Sequence, residues 1–262
     1  ERPDSLIRIR DLHPFTKSFA NSIQMDIFML KDAEIEIIRA YGDEKATLKI
    51  DTASLNLYNV LINKDSKYRK NTFLNTRQIE VDIANFNFIR PDSLYQIRLG
   101  RIKASQRDST IVLRNFELLP LIDSINFSTH TKPLPPNFIQ MKWKEIKLDS
   151  IDVTKAYYSG VVDVKKMLIT QPVVKLFKHP SRDYSEVDFT PQQSVSDFIS
   201  KNFEKLHLAQ IELKNGFFSI VDDALFRTDR LRIDSISAFT NQLLIDSNTL
   251  AIPNTLFVLD TF

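Results

Sequence analysis

Four histidines are the side chains in this chain best suited to bind a metal ion or to exchange protons near neutral pH. They are His13, His130, His179 and His207. None lies within metal-ligand spacing of another, and no His-Glu pair falls in a helical pattern. The chain has no cysteine, which removes disulfides, thiolate nucleophiles and Cys-ligated zinc together. We therefore predict no metal site and no cofactor.

Carboxylates are numerous, and a pair of them could catalyse glycoside hydrolysis. The most conspicuous pair is Asp222 and Asp223. Most other carboxylates alternate with apolar residues, which places them on the wet face of strands. Ser159-Gly160 is not a nucleophile elbow, and the four isolated glycines make no phosphate-binding loop. We predict no catalytic residue and no enzyme, with an all-β carbohydrate-binding or hydrolytic domain as an alternative.

One short motif recurs along the chain: Asp-Ser or Asp-Thr followed by a small or aliphatic residue or by threonine. Asp and Ser favour turns and bulges through local hydrogen bonds to the backbone. The motif also resembles the O-glycosylation acceptor of Bacteroidetes envelope proteins, which implies an extracytoplasmic glycoprotein. The candidate acceptors are Ser5, Thr52, Ser93, Ser109, Ser124, Ser150 and Ser235.

The elements that must carry these residues are strands, because apolar and charged residues alternate over most of the chain. Clear stretches run over 33–37, 78–83 and 230–233. Such alternation indicates strands with one dry and one wet face, and one-sided sheets are usually antiparallel. The fold class predicted is mainly β: an elongated, curled antiparallel sheet, or β-trough, of bulged strands with one or two short helices.

A finer spacing supports a repeat. Two apolar residues in alternation are followed by a two-residue gap and two more, which predicts a bulged strand. The offset between Ile23 and Leu206 equals that between Leu48 and Leu231, at 183 positions. We predict one continuous repeat region over 1–262, a piece of a longer chain, with units near 23–60, 79–118, 146–177 and 206–245. An unrelated set of antiparallel strands is the alternative.

One segment has a clear helical pattern, at about 192–204. Thr190 can cap it, Pro191 suits the first helical position, and apolar residues recur at helical spacing. A weaker version lies at 14–21. The net charge of +2 is spread along the chain without a basic block, so we expect no nucleic-acid partner.

The run KLHLAQIELKNGFFSI at 205–220 resembles the repeat of AsmA-like envelope proteins: an apolar helix, a strand, an Asn-Gly turn and a second strand. Residues 144–158 and 23–37 repeat it less closely. The AsmA-like superfamily resembles bridge-like lipid-transfer proteins. Membership implies a non-enzymatic periplasmic protein of outer-membrane biogenesis, held at a membrane by a segment outside this sequence, which carries phospholipid or another acyl lipid in a β-trough.

The resemblance implies that the repeated apolar positions face the lipid. These are Ile23, Met25, Phe28, Leu30, Leu48, Ile50, Ile79, Val81, Ile97, Leu99, Ile146, Leu148, Ile151, Val153, Leu206, Leu208, Ile211, Leu213, Leu231 and Ile233. A second hypothesis is a structural or assembly module of an envelope or secretion machine. Its 19 Phe would fill a closed core, and exposed strand edges would bind other envelope proteins.

Overall fold

The computed structural model describes residues 13–41, 44–65, 75–89, 94–121, 137–178, 204–222 and 229–246. Most of these residues lie in strands, as the alternation predicts. In chain order the elements are α1 (His13–Thr16), β1 (Ser22–Tyr41), β2 (Glu44–Asn63), β3 (Gln78–Ile89), β4 (Tyr95–Ser105), β5 (Thr110–Pro120), β6 (Asn137–Asp149), α2 (Val153–Ser159), β7 (Val161–Val164), β8 (Lys166–Thr170), β9 (Val173–Lys178), β10 (Lys205–Leu208), β11 (Ile211–Asp222), β12 (Asp229–Thr240) and β13 (Leu243–Asp246).

Ten of these strands form one large sheet in the order β1-β2-β3-β4-β5-β6, then β8 and β9 end to end, then β11 and β12. Strands β1 to β6 pair antiparallel with their chain neighbours. The mainly-β fold class is confirmed, but the sheet is mixed, because β11 runs parallel to β8 and β9. Parallel neighbours need a long crossover, and the connection between Lys178 and Lys205 is long enough to supply it.

Bulges interrupt the two longest strands, β1 and β2, at matching places. Lys31 and Asp32 together face the single residue Ser54, and further along Asp51 and Thr52 face Glu34. An extra residue in one strand bends that strand and increases its twist, so these interruptions curl the sheet. The backbone amide of Asp32 donates to Ser54 Oγ at 3.3 Å.

The bulges keep one side of each strand facing the core. In β2 the buried residues are Ala46, Ile50, Ala53, Leu57, Val60 and Ile62. Their spacing departs from strict alternation at the Asp51-Thr52 bulge and again at Asn59, whose φ is positive, and it resumes after each. A strand without bulges would turn its later apolar residues to the other face.

Three short strands form a second sheet, with β10 antiparallel to β13 and parallel to β7. The chain passes between the two sheets within one or two residues: at Lys165, at 209–210 and at 241–242. The short sheet packs its buried Val164, Leu208 and Leu243 in a cluster with Ile151, and Val153 and Ala156 of α2 pack against that cluster.

The predicted repeat units at 146–177 and 206–245 therefore differ from the expected bulged strands. The prediction of a bulged strand at 146–153 is wrong, because β6 ends at Asp149 and α2 begins at Val153. The gaps after Val164 and Leu208 are passages from one sheet to the other. The turn predicted at Asn215-Gly216 is also wrong, because β11 runs through both residues as one strand.

Two helix predictions have different outcomes. At 14–21 the structure has only the single helical turn α1, followed by a turn at 17–19. The helix predicted at 192–204 lies outside the described residues except for residue 204.

Candidate functional site

The large sheet has one face made of apolar side chains, here called the apolar face. Residues directly opposite each other in neighbouring strands project from the same side of a sheet. A central row of such partners runs from β1 to β12 without a polar member. It consists of Ala33, Ala53, Ile83, Ile102, Leu113, Ile146, Ile169, Leu213 and Ala238.

Two more rows flank the central row on the same face. The second row is Ile37, Leu48, Phe88, Ile97, Leu118, Met141, Val174, Phe218 and Ile233. The third row is Leu30, Leu55, Val81, Ala104, Ile111, Leu148, Met167 and Ile211, and it ends at Thr240. The sheet therefore offers an apolar band across its full width.

A crease crosses the middle of the sheet beside the central row. Asn85 lies opposite Gly100, which lies opposite Asn115, which lies opposite Lys144. Asn85, Asn115, Gln171, Asn215 and Ser235 all have positive φ, between 50° and 57°. Small polar side chains tolerate this left-handed backbone better than branched apolar ones. The crease lets the apolar alternation resume on the same face in each strand.

The opposite face, here called the ion-pair face, carries charged side chains in partnered sets. Arg101 holds Asp82 through two hydrogen bonds of 2.8 and 2.6 Å, and Lys103 lies 3.4 Å from the same carboxylate. The hydrogen bond from Arg101 is the main reason that the pKa of Asp82 lies below its usual value. Asp82 thus has two positively charged neighbours on the same face of the sheet.

Further pairs repeat this arrangement along the face. Lys214 and Lys166 approach Glu212 at 2.9 and 3.1 Å, and the hydrogen bond from Lys214 lowers the pKa of that carboxyl. Lys142 pairs with Glu117 at 2.8 Å. These ion pairs thus lie on the face of the sheet opposite the three apolar rows.

The apolar face is covered unevenly. At one end Ile111, Leu148, Met167 and Ile211 pack against the core of the short sheet. At β2 and β3 a second cluster buries Leu57, Val60, Ile62 and Ile79. Away from both clusters, Phe88, Leu99, Leu113 and Phe116 stay half-buried. Together with the exposed Leu30, Ile37, Leu231 and Ile233 of β1 and β12, these residues lie on the part of the face that is outside both clusters.

The described residues form no cluster of metal-ligating side chains. Within the described ranges, no group of three or more His, Asp or Glu side chains is placed to hold a metal ion. His207 contacts Asp163 at 2.9 Å on the short sheet, away from the apolar face. In the same part of the chain, no helix has the length and apolar content needed to cross a membrane.

Most of the predicted lipid-facing residues do lie on the apolar face. Four of the set lie elsewhere: Ile151 precedes α2, Val153 is the first residue of α2, and Leu206 and Leu208 belong to the short sheet. Whether the others contact lipid stays a prediction. Of the candidate acceptors, Ser150 and Ser235 are exposed, and Thr52 and Ser109 are half-buried. Ser5, Ser93 and Ser124 lie outside the described residues.

Two further strands, β5 and β6, have the bulged-strand spacing that the sequence analysis did not assign to them. Ile111, Leu113, Phe116 and Leu118 have the bulged-strand spacing, and they lie in β5 on the apolar face. Residues Met141, Trp143, Ile146 and Leu148 have it too, in β6. Phe116 and Trp143 stack with ring centroids 4.5 Å apart. Reading the spacing from 141 instead of 146 would have found this strand.

Comparison with protein-family models, with curated proteins and with solved structures finds no match to this chain. The likeness to AsmA-like proteins therefore stays a hypothesis that rests on the residue pattern.

Proposed function

We propose that the protein binds the acyl chains of phospholipid, or of another acyl lipid, along its apolar face. The observation that carries the proposal is the central row, which crosses the sheet from Ala33 to Ala238 with apolar residues only. Acyl chains gain about 0.8 kcal/mol for each CH₂ removed from water. A continuous apolar band suits a long chain better than a compact ligand.

The contrast between the two faces supports a conduit more than a closed pocket. Neighbouring rows run parallel to one another, so a chain that slides along them exchanges one apolar contact for another. The proposed setting is the periplasm between two membranes, and the proposed role is non-enzymatic transfer or holding of lipid. O-glycosylation at the exposed Ser150 and Ser235 belongs to the same proposal.

A self-packed assembly module is the second candidate. The observation that favours it is the packing of the short sheet and α2 over one end of the apolar face. If the rest of the face were filled in the same manner by the protein's own side chains, it would hold no lipid.

Lipid bound to the purified protein tests the proposal, with two neighbouring substitutions as a matched pair. Leu113→Asn places an amide in the central row, and Val112→Asn places one on the ion-pair face of the same strand. We expect native mass spectrometry to find lipid on the wild type and on Val112→Asn, and much less on Leu113→Asn. Circular dichroism checks that both variants fold. A lipid-free wild type after mild extraction, or equal lipid on both variants, would contradict the proposal.

A further inference from the structure

The two outermost strands of the described sheet, β1 and β12, expose most of its large apolar side chains. Of the eleven large hydrophobic residues that are exposed in the described ranges, nine lie in these strands. In β1 every residue from 26 to 32 and from 36 to 40 is exposed, and in β12 so is every residue from 231 to 235. Edge strands of this length usually carry devices that prevent pairing.

Apolar exposure in β1 is not confined to the apolar face. Ile27, Met29 and Ile38 project from the ion-pair face and are 51–61% exposed, beside partners such as Tyr58 and Asn56. On β12, Phe239 projects from that face and is 57% exposed. A lipid on the apolar face would leave these residues in water, so they indicate a protein partner at the strand edges.

We propose that β1 of one copy of this chain pairs with β12 of a second copy. The directions of the two strands permit this pairing. Six antiparallel pairings separate β1 from β8, so the two strands point the same way, and β11 runs parallel to β8 while β12 opposes it. Strand β12 is therefore antiparallel to β1, and a second copy placed beside β12 continues the sheet.

The bulges set the register of this pairing. In the hairpin, Leu30, Ala33, Ile35 and Ile37 face Leu55, Ala53, Ile50 and Leu48. In β12, Ala238, Ile236, Ile233 and Leu231 have the same spacing as those four β2 residues and lie on the same face. Strand β12 can thus meet β1 in the register that β2 already uses, with Leu30 opposite Ala238 and Ile37 opposite Leu231.

This register also pairs the ion-pair faces well. Glu36 comes opposite Arg232, and Met29 comes opposite Phe239. Arg232 already bonds Asp234 at 2.9 and 3.3 Å and lies 5.2 Å from the Phe217 ring centroid. A guanidinium has five N–H donors, so it can keep those contacts and add Glu36. Opposite charges and apolar pairs directly across two strands both favour pairing.

Such a contact joins different surfaces of the two copies, so it leads to head-to-tail chains of the protein. Each added copy would continue the apolar rows of its neighbour. Such pairing uses the strand edges alone and does not require lipid on the apolar face.

Cysteine cross-linking tests the register, because the natural chain has no cysteine and gives no background. We expect Met29→Cys protein mixed with Phe239→Cys protein to give a disulfide heterodimer under mild oxidation. Met29→Cys mixed with Arg232→Cys should give little, since the proposed register separates those positions by roughly 20 Å. Equal cross-linking in both mixtures, or efficient linking of Met29→Cys protein to itself, would overturn the pairing.

Charge exchange tests the same contact in solution. We expect wild-type oligomers to grow with concentration in sedimentation velocity and Glu36→Arg to weaken association at least about tenfold. Adding Arg232→Glu to Glu36→Arg should restore it. Arg98→Glu, on the interior strand β4, is the control and should associate as the wild type does. A wild type that stays monomeric at all concentrations, or a double variant as weak as Glu36→Arg, would refute the proposal.

Discussion

Single residues in the left-handed region decide where the sheet bends. Asn115 has a φ of 52°, is exposed, and lies opposite Gly100, whose added Cβ would come 3.1 Å from the Asn115 side chain. Three serines of the Asp-Ser motifs, Ser109, Ser150 and Ser235, also have positive φ, the first two at the ends of strands and the third inside β12. Sequence reasoning assigned bulge or turn chemistry to this motif, and the backbone confirms that assignment at these three serines.

Substitutions at Asn115 should show how much its left-handed backbone affects the free energy of unfolding. A β-branched residue strains this backbone, so Asn115→Val should lower the free energy of unfolding by about 1–2 kcal/mol. Asn115→Gly, which adopts positive φ without a steric penalty, should stay within about 0.5 kcal/mol of the wild type. Urea denaturation measures both. Equal stability of the two variants would show that the left-handed geometry is not required there.

The ion pair at Asp82 should make stability depend on pH in the acid range. Arg101 lowers the folded-state pKa of Asp82 below its unfolded value. The resulting stability is complete above the unfolded pKa, near about 4, and is lost as pH falls through the lower folded pKa. Asp82→Asn and Arg101→Gln should both lessen the drop in urea midpoint between neutral pH and the acid range. An unchanged drop in both variants would contradict this role.

At the scale of elements, the sequence predicted strands better than their connections. The apolar spacing in β2, β4 and β12 identified strands and the residues of each that lie on the apolar face. The same spacing at Val162–Ile169 and Leu206–Leu213 belongs to segments that pass from one sheet to the other. A bulge and such a passage both interrupt the alternation of apolar residues, so the spacing is the same in the two cases. Only long-range pairing distinguishes these cases, and local sequence does not encode it.

The short helix α2 gives a test at this scale. Asp152 caps it by accepting a hydrogen bond of 2.9 Å from the Lys155 backbone amide, and Gly160 ends it with a φ of 70°. Asp152→Ala should cost about 0.5–2 kcal/mol of stability, whereas Asp152→Asn should cost much less because asparagine also caps. Thermal unfolding compares the two. Equal losses would mean that capping does not hold α2 against the short sheet.

At the scale of the whole molecule, the sheet has an apolar face that crosses all its strands and an opposite face that carries the ion pairs. The sequence predicted this separation, because each strand carries it locally in alternating residues. It did not predict how much of the apolar face would stay uncovered. That depends on where the short sheet and α2 fold back, at Ile111, Leu148, Met167 and Ile211, and on contacts between residues far apart in the chain.

Quenching of a single tryptophan by brominated phospholipid tests the central claim most directly. The chain has one tryptophan, so Trp143→Phe gives a silent background. Into it, Phe88→Trp places the probe on the apolar face beside Leu48 and Ile97. Phe217→Trp places it on the ion-pair face near Lys175. We predict strong quenching at position 88 and weak quenching at position 217, since bromine on an acyl chain must lie close to the ring. Equal quenching at both positions, or none at position 88, would contradict acyl-chain binding on the apolar face.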